Sequence, residues 1–205
     1  MKIKLKIGSS KICSPFENNI TKLHLSAGGF ILKEMNELDE VWARKLTEAH
    51  QKAQAAGRAD VADYLALKAS NDLIRQTSVK WLLDSATEIV SIANRNGASI
   101  VMETENPHHF AFGNANLVGS RLSFRQGVRC LTIEAGWTRT PSDGFMRGNA
   151  LAAAQIAHFG MSKHNADLLL ISSADAPKWF VINTDDKRDF FDAESLHRHF
   201  RVFSG

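Results

Sequence analysis

Residues 119–160 read GSRLSFRQGVRCLTIEAGWTRTPSDGFMRGNALAAAQIAHFG, and this stretch decides how the chain folds. Two alternating runs, Arg121–Arg125 and Val128–Ala135, flank Gln126-Gly127, the signature of a tight β-hairpin. A two-residue turn there pairs Arg125 with Val128. Leu122, Phe124, Leu131 and Ile133 then share the core face, and Arg121, Ser123, Arg125, Cys130, Thr132 and Glu134 share the other. In this register Arg121 opposes Thr132 and lies diagonally from Glu134, within reach of a charge pair. A polar loop follows from Trp137 to Gly148. The alanine-rich run after it predicts a helix over about 148–159, whose first amides would receive an anion.

Working outward, Met35, Leu38, Trp42, Leu46, Ala49 and Ala53 recur three or four apart and predict a helix over 34–56, stopped at Gly57. Further helices are expected over 59–74 and 77–96, with a break near Gln76, Thr77 as N-cap and Asn96-Gly97 as the stop. Strands are expected at 99–103, 109–113, 167–172 and 179–183, and a short helix at 192–200. Near the N-terminus, 2–8 alternates as a strand and 21–33 reads as extended chain with a Gly28-Gly29 turn. The fold class is therefore α/β (α+β): a mixed, partly antiparallel sheet flanked by helices, with a largely helical segment at 34–96. One domain over 1–205 is expected, its sheet drawn mainly from 98–183, since no repeat or linker interrupts the chain.

Composition narrows the class. With 44% hydrophobic and 23% charged residues the chain has the makeup of a soluble domain, and it contains no run of apolar residues long enough to span a bilayer. Cys13 and Cys130 are the only cysteines, too few for a four-thiolate zinc site, and a reducing, cytoplasmic setting is expected. A net charge of +3 leans mildly towards anionic partners. Walker, dinucleotide-binding, nucleophile-elbow and CxxC patterns are all absent.

The candidate chemistry gathers at strand ends and in the loop. Glu134, Glu103 and Asp143 are the candidate catalytic acids; Glu134, Glu103 and His109 could hold Mg²⁺ or Mn²⁺, which prefer oxygen donors. Of the adjacent pair His108-His109 only one can face a given site in a strand. Arg121, Arg125, Arg139, Arg147 and Ser142 are the candidate substrate contacts, with the arginines neutralising phosphate charge. The expected function is a metal-dependent, nuclease-like phosphodiester hydrolase acting on nucleic acid or a nucleotide. Two alternatives use the same residues. One is a non-catalytic nucleic-acid or protein interaction module; the other is an enzyme or sensor that clamps a small phosphorylated ligand with the 137–149 loop. His158 reads as structural, while His197 and His199 fall in a basic-aromatic tail and Asp185–Asp189 in a charged turn.

The order helix 77–96, strands, helix 148–159, strand 167–172 resembles the core of the PD-(D/E)XK nuclease superfamily. That resemblance implies an acid on the 128–135 strand, where Glu134 stands, and a lysine two positions later, where this chain has Gly136. The acid implied before that strand is also missing, with Arg121 and Arg125 in the preceding strand. Glu88 would face the sheet, and Gln155 to Phe159 is similar to the Gln-x-x-x-Tyr element of some members, with Phe in the last place.

Overall fold

A computed structural model describes residues 29–173, 176–183 and 188–205, the first eleven of them as backbone only. The strand expected at 2–8, most of the stretch expected to be extended at 21–33, and much of the charged turn at 185–189 lie outside the described residues. Residues 29–33 belong to a helix.

Two helices come first: α1, Gly29–Ala55, and α2, Ala59–Arg95. Gly57, at φ +67°, makes the sharp turn between them. The break expected near Gln76 does not occur. No glycine or proline lies between Ala59 and Arg95, and Asp72 pairs with Arg75 at 2.6 Å just where a break was expected. Thr77 is therefore inside the helix, not its cap. At the far end Asn94 pins the exit: its side chain accepts from the Ile100 amide and donates to the Ile100 carbonyl, both at 2.9 Å.

Among the described residues seven strands then form one sheet in chain order, every pairing antiparallel: β1 Val101–Phe112, β2 Ala115–Gln126, β3 Arg129–Trp137, β4 Ala152–His158, β5 Ala166–Ile171, β6 Lys178–Ile182 and β7 Arg188–Phe191. Helix α3, Ala193–Ser204, closes the chain, with Asp192 accepting the Ser195 amide at 2.8 Å as its N-cap. The architecture is an α+β sheet flanked by helices. Among the described residues no helix is long and apolar enough to cross a membrane.

The helix expected over 148–159 is strand β4. Alanine favours helices, but Ala152, Ala153 and Ala154 are all buried because both sides of the sheet are covered here. Burial on both faces erases the alternation that would have marked a strand, and pairing with β3 and β5 overrides intrinsic propensity. The element order behind the nuclease resemblance, and the helix N-terminus offered to an anion, are corrected with it.

The β2–β3 hairpin turns at Gly127-Val128, so Arg125 opposes Cys130 and Arg121 opposes Glu134. The expected register is thus two residues out. A slip of two preserves every side chain's face, whereas a slip of one would invert them all. Leu122, Phe124, Leu131 and Ile133 accordingly lie in the main core, beneath Val79, Leu82, Ala86 and Val90 of α2 and Leu196, Phe200 and Phe203 of α3. The other face carries a smaller apolar cluster, including Phe112, Leu117, Ala153 and Leu169, and beside it a row of polar groups.

Candidate functional site

That polar row crosses five strands through directly opposed residues: Glu105, Arg121, Glu134, Gln155 and Asp167. His108 joins it through a β-bulge. Glu105 faces Arg121 and His108 faces Gly119, so β1 spends three residues where β2 spends two. The extra residue brings Glu105 and His108 to the same side and turns His109 away, reversing the expectation that His109 would accompany the acids. A cis Asn106-Pro107 bond lies in the bulge.

Two glycines let the β2 and β3 backbones approach closely beside the histidine. Gly119 and Gly136 oppose each other on β2 and β3, and a Cβ on Gly119 would run into the Ala135 carbonyl oxygen. From its register position opposite Gly119, the His108 ring reaches across β2 to Glu134 on the third strand. Its Nε2 lies 2.8 Å from Glu134 Oε1, and its Nδ1 lies 3.2 Å from Glu105 Oε1. Arg121 Nη2 completes the chain at 2.7 Å from Glu105 Oε2. The hydrogen bond from His108, followed by the charges of Arg121 and His108, holds the Glu105 carboxyl below the usual glutamate range. His108 itself is buried and stacks near-parallel on Phe110.

The remaining sequence candidates are dispersed. Glu103 is exposed, two residues from Glu105 on the same face and opposite Ser123. Asp143 turns back on its own loop: its Oδ2 accepts the Thr140 and Arg139 amides at 2.7 and 3.0 Å, and these bonds, the Thr140 one first, lower its pKa. Ser142 hydrogen-bonds Thr140 Oγ1 at 2.7 Å within the same turn. Arg125 is exposed at the hairpin end, opposite Cys130. Among the described residues, no three histidine, cysteine, aspartate or glutamate side chains assemble as a metal-ligand group.

The loop between β3 and β4 walls two cavities. One, of about 350 Å³, lies between the loop and the paired helices, and holds Trp42, Lys68, Asp72, Arg75, Trp137 and Arg139. The Arg139 guanidinium stacks 4.0 Å from the centre of the buried Trp137 ring, and Lys68 Nζ lies 5.7 Å from that of Trp42. Arg75 is fixed by Asp72 and by the Leu151 carbonyl, to which its Nε donates at 2.8 Å. The second cavity, of about 830 Å³, includes Phe112, Asn114, Met146, Arg147 and Asp167.

Sequence reasoning attached no chemistry to the helices and so missed Trp42, Lys68 and Arg75. The available signal was Lys68, Asp72 and Arg75 at helical spacing, which puts both cations beside one acid on a single face. His108 carried a signal as well, since Asn-Pro inside an alternating run marks a bulge or edge. The chain matches no protein-family profile, no curated protein and no solved structure.

Proposed function

We propose that the protein binds a small anionic ligand, phosphorylated or carboxylated and bearing an apolar ring, in the cavity that the 137–149 loop closes against α1 and α2. The observation that carries this reading is the gathering of cations at one cavity: Lys68, Arg75 and Arg139 line it together with Asp72. Two indoles supply the apolar wall, and Trp42 remains 47% exposed, leaving ring surface for a ligand to cover. The volume lies at the lower end of the range for small-molecule sites. Arginine held flat on an aromatic ring is ordered in advance, so little side-chain entropy is lost when an anion arrives.

The test is a titration of the full chain with pyrophosphate, a nucleoside monophosphate, an aromatic carboxylate and a neutral nucleoside. Tryptophan fluorescence and thermal shift serve as readouts. The ring-bearing anions should bind tightest, and Arg139→Ala should weaken them about tenfold or more, the cost of a charge-assisted hydrogen bond. Absence of binding at millimolar concentration, or binding unchanged in both Arg139→Ala and Lys68→Ala, would overturn the reading.

A metal-dependent phosphodiester hydrolase is the second reading. Glu105 and Glu134 supply two carboxylates beside Arg121 on the open sheet face, but they meet opposite nitrogens of His108 and do not converge on one ion. Mg²⁺- or Mn²⁺-dependent cleavage of a short oligonucleotide, lost in Glu134→Gln, is its expected result. The interaction-module reading draws less support, because the four candidate arginines do not share one surface: Arg121 and Arg125 lie on the open face, while Arg139 and Arg147 line separate cavities.

A further inference from the structure

His158 ends strand β4 with only 3% of its surface exposed, and His199 reaches it from helix α3. His158 Nε2 and His199 Nδ1 are 3.0 Å apart, and the rings lie within 24° of parallel. One proton occupies that bond, donated by one ring and accepted by the other. A further proton turns one ring into an imidazolium inside this buried contact, and protons on both facing nitrogens would set N–H against N–H. The other nitrogen of His158, Nδ1, is buried and has no hydrogen-bond partner among the described residues, so a proton placed there would carry charge without an acceptor.

The surroundings give no compensation. His164, from the Ser162–His164 turn, lies 6.0 Å from the His158 ring. Arg198 approaches from α3, and Arg129 of β3 donates to the Phe203 carbonyl at 3.1 Å at the end of that helix. Phe191 of β7 covers His199 at 6.1 Å. The carboxylates at the start of α3 are engaged with their own helix: Asp192 caps Ser195, and Glu194 pairs with Arg201 at 2.8 Å. Among the described residues neither imidazole has a carboxylate partner.

We propose that this pair makes docking of the C-terminal helix proton-controlled: mild acid weakens docking and raises the fraction of molecules in which α3 lifts from the sheet while the strands stay assembled. Leu196, Phe200 and Phe203 hold α3 down at neutral pH, and protonation sets charge repulsion against that burial. Burial first, then the neighbouring His158, Arg198 and His164 charges, push His199 down to about 4 from 6.5, and burial lowers His158 as well. A docked pKa below the free one means that docking is fully stabilised above pH 6.5 and weakens as pH falls from there towards 4.

Hydrogen exchange on the full chain, corrected for the intrinsic pH dependence, tests this directly. Between pH 7.5 and 5.0 protection of residues 193–204 should fall about tenfold or more, while that of 131–137 and 152–158 changes less than about twofold. His199→Phe should flatten the dependence, and His197→Ala, an exposed position on the same helix, should leave it intact. Equal protection of α3 at both pH values would overturn the proposal, as would an unchanged dependence in His199→Phe. Should that variant fail to fold, the wild-type imidazole signals decide. Rings still neutral at pH 5.5 are expected; titration of both near 6.5 would overturn the idea.

Discussion

The two faces of the sheet are built from the same strands and hold together by different physics. On the helix-covered face, Leu122, Phe124, Leu131 and Ile133 are fully or almost fully buried, and stability comes from apolar area removed from water. On the open face β2 and β3 present Arg121 and Glu134, and β1 adds Glu105 and His108 across its bulge, linked by the His108 hydrogen bonds and the Arg121–Glu105 ion pair, which water still reaches. Burial is additive over area and indifferent to detail, while a polar chain depends on each member. The covered face should therefore respond to lost volume, and the open face to lost partners.

The largest effect is expected from Phe124→Ala. The ring is fully buried and meets Phe200 of α3 edge-on at 5.3 Å, so truncation should cost about 3–5 kcal/mol in urea unfolding. A loss under about 1 kcal/mol would show that the helices do not seal this face. Gly119→Ala comes next and tests the boundary between the faces. Its methyl would meet the Ala135 carbonyl and the Gly136 Cα, both backbone, so neither can rotate away. A loss of roughly 2–3 kcal/mol is expected, against near-neutrality for a strand glycine in open space.

A smaller effect should follow His108→Leu. The substitution keeps apolar contact with Phe110 but leaves Glu134 without its 2.8 Å partner, at a cost of about 1–3 kcal/mol. A double-mutant cycle with Glu134→Leu separates the two views of this face. Coupling of about 1 kcal/mol marks a chain that acts as a unit; additive losses mark two independent side chains.

The same contrast explains what could be read in the sequence. Face assignment in the hairpin was legible because alternation has period two, and it survived a register error of two residues. Strand β4 was illegible for the converse reason: Ala152, Ala153 and Ala154 are buried together, so neither alternation nor helical spacing is left to read. The continuity of α2 was hidden by a run of weaker helix formers around Thr77, where tertiary packing and the Asp72–Arg75 pair decide. In the candidate site, Glu134 and Arg121 were legible because they alternate with core residues. Trp42, Lys68 and Arg75 were not, because the cavity they line exists only once a helical hairpin folds beside a loop distant in sequence.

Acid should separate the faces a last time, with the smallest effect on the open one. Glu105 is held below its ordinary 4.5 by the His108 hydrogen bond and then by the Arg121 and His108 charges. A carboxylate depressed in the folded state contributes stability above its unfolded pKa and loses it as pH falls through the folded one. Its share is therefore intact at pH 5 and declines below about 4.5, whereas the histidine pair under α3 begins to cost stability from 6.5 downward. Thermal melts from pH 7 to 3.5 should show both stages, the second shallow because Glu105 is solvent-facing and screened. Glu105→Gln should remove part of the lower stage and leave the upper one unchanged, and His199→Phe should do the reverse. If Glu105→Gln flattens the upper stage too, the open-face chain and the covered helix are one cooperative unit, and the independence of the two faces fails.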